Sequence, residues 1–259
     1  MENQKYFFVN GGIGDFLQCL PFMLLNREEN YIVNSHFKNA PAFFNAFDLE
    51  KIQFLKFNNV EELKSNYASL DPATTLECPR YVFGRFNFGM HHEIQVEQKI
   101  DQFKDSKKPI IAIHPFGSSF ANEVYKQIAN ETKNISKEIV KELIKPSFNY
   151  FIFGSEQEIS TLDIPESENV KHISFKNILT SLSAVRYCDQ LIGADSCFKT
   201  ASSMQNIKTT CLISSIEDHI RDKFFLDPYV ENGVMTVLKI QNEIDKLTKT
   251  VYEKYNTNF

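Results

Sequence analysis

The sequence predicts an α/β protein made of two successive units, each with a parallel sheet. Short apolar runs, such as Tyr6–Val9 and Ile110–Ile113, alternate with stretches of helical spacing along most of the chain. This alternation is typical of parallel sheets. The pattern restarts at Pro109 after the charged segment Asp101–Lys108. We therefore predict a first Rossmann-like domain over residues 1–105 and a second over 106–259. A single larger doubly wound sheet is the alternative.

Each predicted strand is a short apolar run, and each predicted helix has apolar residues at spacings of three and four. The strands are Tyr6–Val9, Tyr31–Val33, Ile52–Phe57, Ile110–Ile113, Tyr150–Phe153, Gln190–Ala194 and Thr210–Ile213. The helices are Asp15–Leu25, Ala40–Phe47, Val60–Tyr67, Ser136–Ile144, Asn177–Tyr187, Ala201–Gln205 and a closing helix over about 238–255. Ser136 is expected to cap its helix. The closing helix is a candidate for packing back toward the first domain.

Composition and charge disfavour several classes of protein. The net charge is −5, and neither half has an excess of lysine and arginine, which argues against a nucleic-acid partner. Five scattered cysteines without a C-x-x-C pair favour reduced thiols over a disulfide framework or a zinc site. No apolar run approaches the roughly 20 residues of a membrane span, and no signal peptide is recognised. We expect a cytoplasmic protein, with peripheral association at the inner membrane face left open.

A glycine-rich turn follows the first strand and opens the first helix. It contains Gly11, Gly12 and Gly14 and ends at Asp15. The position of the third glycine in a dinucleotide-binding loop is Leu17, so NAD or FAD binding is the weaker interpretation. Asp15 has two interpretations, which the sequence leaves open. It either stabilises the helix start electrostatically or serves as a general base toward a hydroxyl group in a cleft.

Three further segments follow predicted strands of the second half, where open α/β sheets bind ligands. The first contains Gly117, Ser118 and Ser119, whose amide and hydroxyl groups suit phosphate oxygens. The second contains Gly154, Glu156 and Glu158, whose carboxylates suit ribose hydroxyls. The third contains Asp195, Ser196, Lys199 and Thr200 at a helix start, where free N–H groups suit a diphosphate. Each segment alone is more often structural, whereas their succession favours one shared site.

These motifs resemble those of the heptosyltransferase-like glycosyltransferases, family 9 of the GT-B superfamily. The family opens with a G-x-G-D turn and a proline-containing helix, matched here by Gly12–Asp15 and Leu20-Pro21. It has a lysine ahead of a second-domain helix, matched by Lys133, and a G-x-x-x-E-like loop, matched by Gly154–Glu158. It also has a D-S-G-x-x-H segment, matched from Asp195. In that segment Cys197 replaces glycine and Thr200 replaces histidine.

The resemblance implies a GT-B fold, with two Rossmann-like domains whose parallel sheets face each other across a cleft. It implies inverting, metal-independent transfer from a nucleotide-diphosphate sugar to a hydroxyl-bearing glycan, glycolipid or protein, without a cofactor. Asp15 would be the base, and Gly11, Gly12 and Gly14 would form the acceptor-side loop. The residues of the three second-half segments and Lys133 would bind the donor. The alternatives are another GT-B enzyme, such as a nucleotide-sugar epimerase, and a non-catalytic paralogue that binds a nucleotide sugar.

Overall fold

The computed structural model describes most of the chain. The described residues are 5–35, 37, 39–56, 60–80, 82–86, 88, 98, 100–103, 105–117, 134–213, 227–240, 251–252 and 255. The chain divides into two compact units, Met1–Gly84 and Arg85–Phe259, hereafter the first and second units. Many of the residues between this division and the predicted boundary at 105/106 lie outside the described ranges. That boundary stays a prediction.

The first unit contains a four-stranded parallel sheet with the order β3-β2-β1-β4. Its strands are β1 (Tyr6–Asn10), β2 (Asn30–Asn34), β3 (Ile52–Phe54) and β4 (Thr75–Glu77). Its helices are α1 (Ile13–Leu25), α2 (Ala40–Asn45) and α3 (Val60–Ala68). Helix α1 buries Phe16, Leu17 and Leu20 completely. The ring of Phe16 packs 4.8 Å from that of Phe44, which joins α1 to α2.

The second unit contains a six-stranded parallel sheet with the order β10-β9-β8-β5-β6-β7. Its strands are β5 (Ile110–His114), β6 (Asn149–Phe153), β7 (Val170–Ile173), β8 (Gln190–Gly193), β9 (Lys208–Ile213) and β10 (Met235–Lys239). Its helices are α4 (Lys137–Leu143), α5 (Glu156–Thr161), α6 (Ile178–Ala184), α7 (Cys197–Met204) and α8 (Pro228–Glu231). Strands β6 and β8 are buried along their whole length. The predicted α/β architecture with two parallel sheets is confirmed.

Several predicted elements need correction. The closing helix predicted from 238 is wrong at its start, because Leu238 belongs to β10, which pairs with β9. Val251 and Tyr252 are helical and pack in the core of the second unit. Residues 241–250 lie outside the described ranges, and packing of this helix toward the first domain stays a prediction. The segment expected as a loop over Gly154–Glu158 contains the start of α5.

Candidate functional site

Asp15 lies in the first turn of α1, where the backbone and an arginine bind its two carboxylate oxygens. The backbone N–H of Gly12 donates to Oδ2 at 3.0 Å. Nη1 of Arg80 donates to Oδ1 at 2.6 Å, and Nη2 of the same arginine donates to the backbone oxygen of Asn10 at 2.8 Å. The side chain of Asp15 remains 33% exposed and that of Arg80 29% exposed. The carboxylate is therefore fixed in orientation yet accessible.

Arg80 reaches Asp15 because the chain after β4 runs beside α1. The thiol of Cys19 lies 3.9 Å from the backbone oxygen of Cys78, within reach of a weak hydrogen bond. Further along, a Cβ atom added to Gly84 would lie 2.8 Å from Cβ of Pro21, so only glycine allows this approach. These contacts place Cys78, Arg80 and Gly84 along the helix that carries the carboxylate.

The glycine turn before α1 is shaped by backbone contacts. Gly11 has a φ of +127°, a backbone conformation that residues other than glycine rarely adopt. Its N–H donates to the backbone oxygen of Asn34, and its own oxygen accepts from Oγ of Ser35. Gly12 supplies the N–H that binds Asp15, and Gly14 lies within α1. Their predicted contact with an acceptor stays a prediction.

His114 ends β5 in the second unit and lies against the start of α7. Its ring is stacked on that of Phe198 at 4.0 Å, and its Nδ1 lies 3.0 Å from Oγ of Ser196. The residue is 5% exposed. Burial lowers the pKa of His114 to about 3, so the ring is neutral near neutral pH. The imidazole therefore joins the end of β5 to the start of α7 as an uncharged group.

The segment after His114 is described only as far as Gly117. The N–H of Gly117 donates to Oδ1 of Asn134 at 2.6 Å. This N–H was predicted to donate to a phosphate oxygen, and in the structure an asparagine side chain accepts its hydrogen bond. Ser118, Ser119 and Lys133 lie outside the described residues, and their predicted roles stay predictions.

The second segment follows β6 and begins at Gly154, where the ring of Phe116 lies close to the backbone. A Cβ atom on Gly154 would lie 2.7 Å from the ring of Phe116, so this glycine admits that ring. Ser155 then caps α5: its Oγ accepts from the N–H of Glu158, while Oε2 of Glu158 accepts from the N–H of Ser155. Oε1 of Glu158 is buried and has no hydrogen-bond partner among the described residues. Glu156, at the first position of α5, is exposed.

The third segment opens α7, with Ser196 as the capping residue. Oγ of Ser196 accepts from the N–H of Phe198 at 3.3 Å. Nζ of Lys199 lies 3.4 Å from Oδ1 of Asp195 and 3.8 Å from Oδ2 of Asp227, and its side chain is 3% exposed. Thr200 is buried beside it in the chain. The charge of Lys199 is thus balanced within the protein, and the predicted contact of Lys199 and Thr200 with a donor stays a prediction.

The electrostatics of this lysine are set by burial and by the two carboxylates. Burial acts to lower the pKa of Lys199, but Asp195 and Asp227 act against it, and the net direction is upward. Burial raises the pKa of Asp227 in spite of the opposing effect of Lys199. Asp227 also caps α8 through the N–H of Tyr229. One lysine therefore ties α7 to α8.

The structure brings the three second-half segments together. Strands β8, β5 and β6 are consecutive neighbours in one parallel sheet, so their carboxyl ends lie at one edge. Phe116 packs on Gly154, which joins the first segment to the second. His114 bonds Ser196, which joins the first to the third. The described parts of the three segments therefore lie at one edge of the sheet, as the strand ends predict, and their binding of a donor stays a prediction.

Sequence reasoning assigned no role to three residues of these clusters. These residues are Arg80, His114 and Asp227. Asp227 was not noted, although Asp227-Pro228 is a helix-start signal, with a capping residue before a proline. Of the phenylalanines that follow Arg80, Phe88 is buried and Phe83 is 41% exposed.

The acidic, histidine and cysteine side chains of the described residues bear on metal binding and thiol chemistry. No group of three His, Cys, Asp or Glu residues in this part of the chain is placed to hold a metal ion. The predicted absence of a metal stays a prediction. The five cysteines all lie in the described ranges, and none of them forms a disulfide bond. Burial raises the pKa of Cys197 to about 12, which argues against a thiolate nucleophile beside α7. No helix among the described residues is long and apolar enough to cross a membrane.

Comparison with solved structures identifies the fold. The chain is similar to the ADP-heptose LPS heptosyltransferase II of E. coli, with a TM-score of 0.54, 13% identity and 97% of each chain covered. It is also similar to a family 9 glycosyl transferase from Veillonella parvula, with a TM-score of 0.53 and 12% identity. That match covers 100% of this chain and 91% of the other. No protein-family model matches the chain, and no curated protein does.

These similarities confirm, at the level of the fold, the resemblance drawn from the sequence motifs. The two α/β units with parallel sheets form a fold of the GT-B type, as in the heptosyltransferases. At these identities the comparison concerns the fold alone, and the chemistry has to be argued from the residues of this chain.

Proposed function

We propose that this chain is a glycosyltransferase that moves a sugar from a nucleotide-diphosphate sugar to a hydroxyl acceptor. The observation that carries the proposal is the similarity to heptosyltransferase II over 97% of both chains. Two site features support it. A fixed and accessible carboxylate opens α1. Three segments meet at the carboxyl edge of the second sheet, where open α/β sheets bind their ligands.

In the proposed reaction Asp15 is the general base. It accepts the proton of the acceptor hydroxyl, whose oxygen bonds to the anomeric carbon. The bond from that carbon to the diphosphate breaks on the opposite face, so the configuration inverts and the nucleoside diphosphate leaves with the electron pair. A carboxylate has about four lone-pair sites, and Arg80 and Gly12 use two of them. Sites therefore remain for the acceptor hydroxyl, which Asp15 would hold in a defined orientation.

The leaving diphosphate is assigned to the carboxyl edge of the second sheet. The N–H groups at the start of α7 and the hydroxyl of Ser196 are assigned as hydrogen-bond donors to the diphosphate oxygens. They would stabilise the negative charge that develops there as the diphosphate leaves. Ser118, Ser119 and Lys133 are also assigned to binding of the diphosphate, as the family resemblance implies. No D-x-D motif occurs in the sequence, which supports transfer without a metal.

Glu158 is assigned to the ribose of the donor. Its Oε2 is occupied by the N–H of Ser155, whereas its Oε1 is buried without a partner among the described residues. A buried carboxylate oxygen without a donor is costly, and a ribose hydroxyl would satisfy it. Glu156, which is exposed at the start of the same helix, is also assigned to the ribose of the donor.

One observation favours a second candidate, a non-catalytic protein that binds a nucleotide sugar. Lys199 is buried between two carboxylates, so its charge is compensated before any diphosphate arrives. Thr200 stands where the family has histidine, and a threonine supplies no cation. Stabilisation of the leaving group by side chains is then weaker than the family pattern implies.

The test begins with a thermal-shift screen against ADP-, GDP-, UDP-, TDP- and CMP-sugars. A ligand at 100 times its dissociation constant stabilises the folded state by about 2.7 kcal/mol. The donor found is then incubated with the protein in EDTA, with and without mixed hydroxyl acceptors, and nucleotide release is measured. Acceptor-dependent release supports the proposal. Binding without release identifies the non-catalytic protein, and conversion of the sugar without an acceptor identifies an epimerase.

A further inference from the structure

A glutamine one turn beyond the proposed base carries an inference about the acceptor. We propose that Gln18 binds the acceptor by donating a hydrogen bond from Nε2 to the oxygen next to the attacked hydroxyl, and that it thereby selects a sugar with two neighbouring hydroxyls. This inference rests on the proposed function, because it takes Asp15 to be the base.

The topology of the first sheet indicates where a ligand of this unit lies. Strands β2 and β4 pair with opposite sides of β1, so the order of the strands reverses between β1 and β4. Open parallel sheets bind ligands at the carboxyl ends of the strands where the order reverses. Asp15 follows β1 and Arg80 follows β4, so their ion pair lies at this point. The acceptor is accordingly assigned to the start of α1.

Gln18 and Asp15 are neighbours on one side of α1. Residues three apart in a helix have Cβ atoms about 5–6 Å from each other, so both side chains can reach one small ligand. Both are half-buried, whereas the two residues between them are buried completely. The chain after β4 contacts α1 one turn before Gln18, where Arg80 bonds Asp15, and one turn after it, where Gly84 meets Pro21. Gln18 therefore lies beside the stretch of chain that holds the carboxylate.

The side-chain amide of Gln18 has no hydrogen-bond partner among the described residues. Its Oε1 is buried, whereas its Nε2 is accessible, since the residue as a whole is only half-buried. Burying a polar atom without a partner lowers stability, and rotating the amide by 180° only exchanges the atom that is buried. An apolar side chain would avoid this cost, so the stability of the fold does not explain a glutamine here. A sugar supplies hydroxyls that both donate and accept, which are the two partners an amide needs.

Two other glutamines show why the amide of Gln18 differs. Gln190 and Gln205 also have a buried Oε1 without a partner among the described residues. Their Nε2 atoms, however, donate within the protein, to Oγ1 of Thr210 at 2.9 Å and to the backbone oxygen of Leu182 at 2.8 Å. Those amides join neighbouring elements of the second unit, and no ligand is needed to explain them. Gln18 makes no such connection among the described residues.

Asp15 and Gln18 together define two contacts with one acceptor. Asp15 accepts the proton of the attacked hydroxyl, and Nε2 of Gln18 donates to the hydroxyl oxygen on the neighbouring carbon. An isolated hydroxyl, such as that of a serine side chain, makes only the first contact. A site built to bind a substrate hydroxyl discriminates against the analogue that lacks it, because the polar group of the site is then left unpaired. Gln18 is therefore a specificity-determining residue for the acceptor.

The experiment compares transfer to methyl pyranosides with transfer to their monodeoxy analogues, using the full chain and the donor found in the thermal-shift screen. The variant Gln18→Met keeps the length of the side chain but removes the amide. Gln53→Met is the matched control, because Gln53 is an exposed glutamine of β3 in the same unit. Melting curves are recorded for all three proteins. In 1H–15N spectra the side-chain signal of Gln18, assigned by its loss in Gln18→Met, reports binding of each pyranoside without any need for transfer.

We expect Gln18→Met to lower kcat/KM for the best pyranoside about threefold to tenfold, as for one hydrogen bond between neutral groups. Its melting temperature should be no lower than that of the wild type, because a buried atom without a partner is removed. Loss of the neighbouring hydroxyl from the pyranoside should cost the wild type a similar factor and cost Gln18→Met nothing further, because both changes remove the same contact. Gln53→Met should keep the rate and the selectivity. Additive losses, or equal losses for every acceptor together with a lower melting temperature, overturn the inference.

Failure of the proposed function gives a different result. If pyranosides shift the amide signal of Gln18 but release no nucleotide from the donor, binding of a sugar by Gln18 stands and transfer by Asp15 fails. If transfer occurs and Gln18→Met keeps the rate and the selectivity of the wild type, only the inference about Gln18 fails. If no pyranoside shifts the signal or accepts a sugar, the inference is overturned.

Discussion

Nη1 of Arg80 lies 2.6 Å from Oδ1 of Asp15, an ion pair between residues 65 positions apart in the chain. The same guanidinium bonds the backbone oxygen of Asn10, which ends β1. Arg80 thus fixes the proposed base relative to the strand that precedes it. The proposed chemistry therefore needs the acceptor to bind in line with the remaining lone pairs of Asp15.

The first prediction concerns the base. Asp15→Asn keeps the size of the side chain but removes its basicity, so transfer should fall by about 100-fold or more. Donor affinity, measured by calorimetry, should stay within about twofold because the proposed donor site lies in the second unit. Glu61→Gln is the matched control, since Glu61 is an exposed acid in the first turn of α3. Loss of donor binding in Asp15→Asn would refute this division of roles.

The second prediction concerns Arg80. Arg80→Gln should lower the transfer rate about tenfold or more, because Asp15 loses its orientation. Stability should fall by less than about 1 kcal/mol, since the pair is partly exposed. Arg80→Lys should not recover the rate, because one ammonium does not reproduce the fork between Asp15 and Asn10. These changes are measured by steady-state kinetics and urea unfolding.

The control for Arg80 is another arginine of the first unit. Arg27 donates to the backbone oxygens of Phe47 and Asp48, away from Asp15 in the hydrogen-bond pattern of the described residues. Arg27→Gln should change stability by a comparable amount and leave transfer unchanged. Equal loss of transfer in both variants would mean that Arg80 acts only through stability.

The third prediction concerns the buried lysine. Lys199→Met leaves Asp227, which is 3% exposed, without its cation, so the free energy of unfolding should fall by about 3–5 kcal/mol. Adding Asp227→Asn should recover part of this loss. Lys141→Met is the control, because the pair of Lys141 with Asp163 is exposed and contributes less than about 1 kcal/mol. Urea unfolding measures all three, and equal losses at both lysines would contradict the prediction.

The fourth prediction concerns the pH dependence of stability. The pKa of His114 is about 3 in the folded chain against an ordinary value of 6.5, so between these values only the unfolded chain binds a proton there. Stability should therefore fall as the pH falls from 6.5 toward 3, by about 1.4 kcal/mol per pH unit from this residue. His114→Phe removes this contribution. Urea unfolding at several pH values should show the two curves separating below pH 6.5, and parallel curves would contradict the assignment.

The fifth prediction concerns Gly154. Gly154→Ala places a methyl group 2.7 Å from the ring of Phe116, which is buried and packed on His114, so stability should fall by about 1–3 kcal/mol. Phe116→Leu should relieve the clash. Gly154→Ala should therefore cost less stability in the Phe116→Leu variant than in the wild type. Thermal melting of the two single variants and the double variant measures this coupling. Additive losses would mean that the ring does not limit this position.

The sequence predicted the interior strands better than the edge strands. Strands β1, β2, β5, β6, β8 and β9 were predicted because burial on both faces requires apolar runs, and edge strand β3 was predicted over Ile52–Phe57. The missed strands β4, β7 and β10 are all at sheet edges. An edge strand has one neighbouring strand and exposed positions, so it needs no continuous apolar run, and Leu238 of β10 was taken instead as the start of a helix. The alternation of elements was therefore predictable, while the width of each sheet was not.

The candidate site was predictable where its signal is local. A strand followed by Ser196 and small residues predicts a helix start, and the structure confirms it. Ser136 caps α4 as expected. The pairing of Asp15 with Arg80 and of Lys199 with Asp227 joins residues distant in sequence, and no local pattern encodes such pairs. Those contacts follow from how the strands pack, which a single sequence does not specify at the level of side chains.

Strands β5 and β8 each lie between two other strands of the second sheet. Their amide hydrogens are consequently expected to exchange with solvent deuterium only when the whole unit opens, whereas those of edge strand β10 are expected to exchange through smaller fluctuations. His114 and the turn to Ser196 follow directly from these slowly exchanging strands. Local fluctuation at the periphery of the sheet is therefore expected to leave the alignment of the proposed donor-binding turn intact.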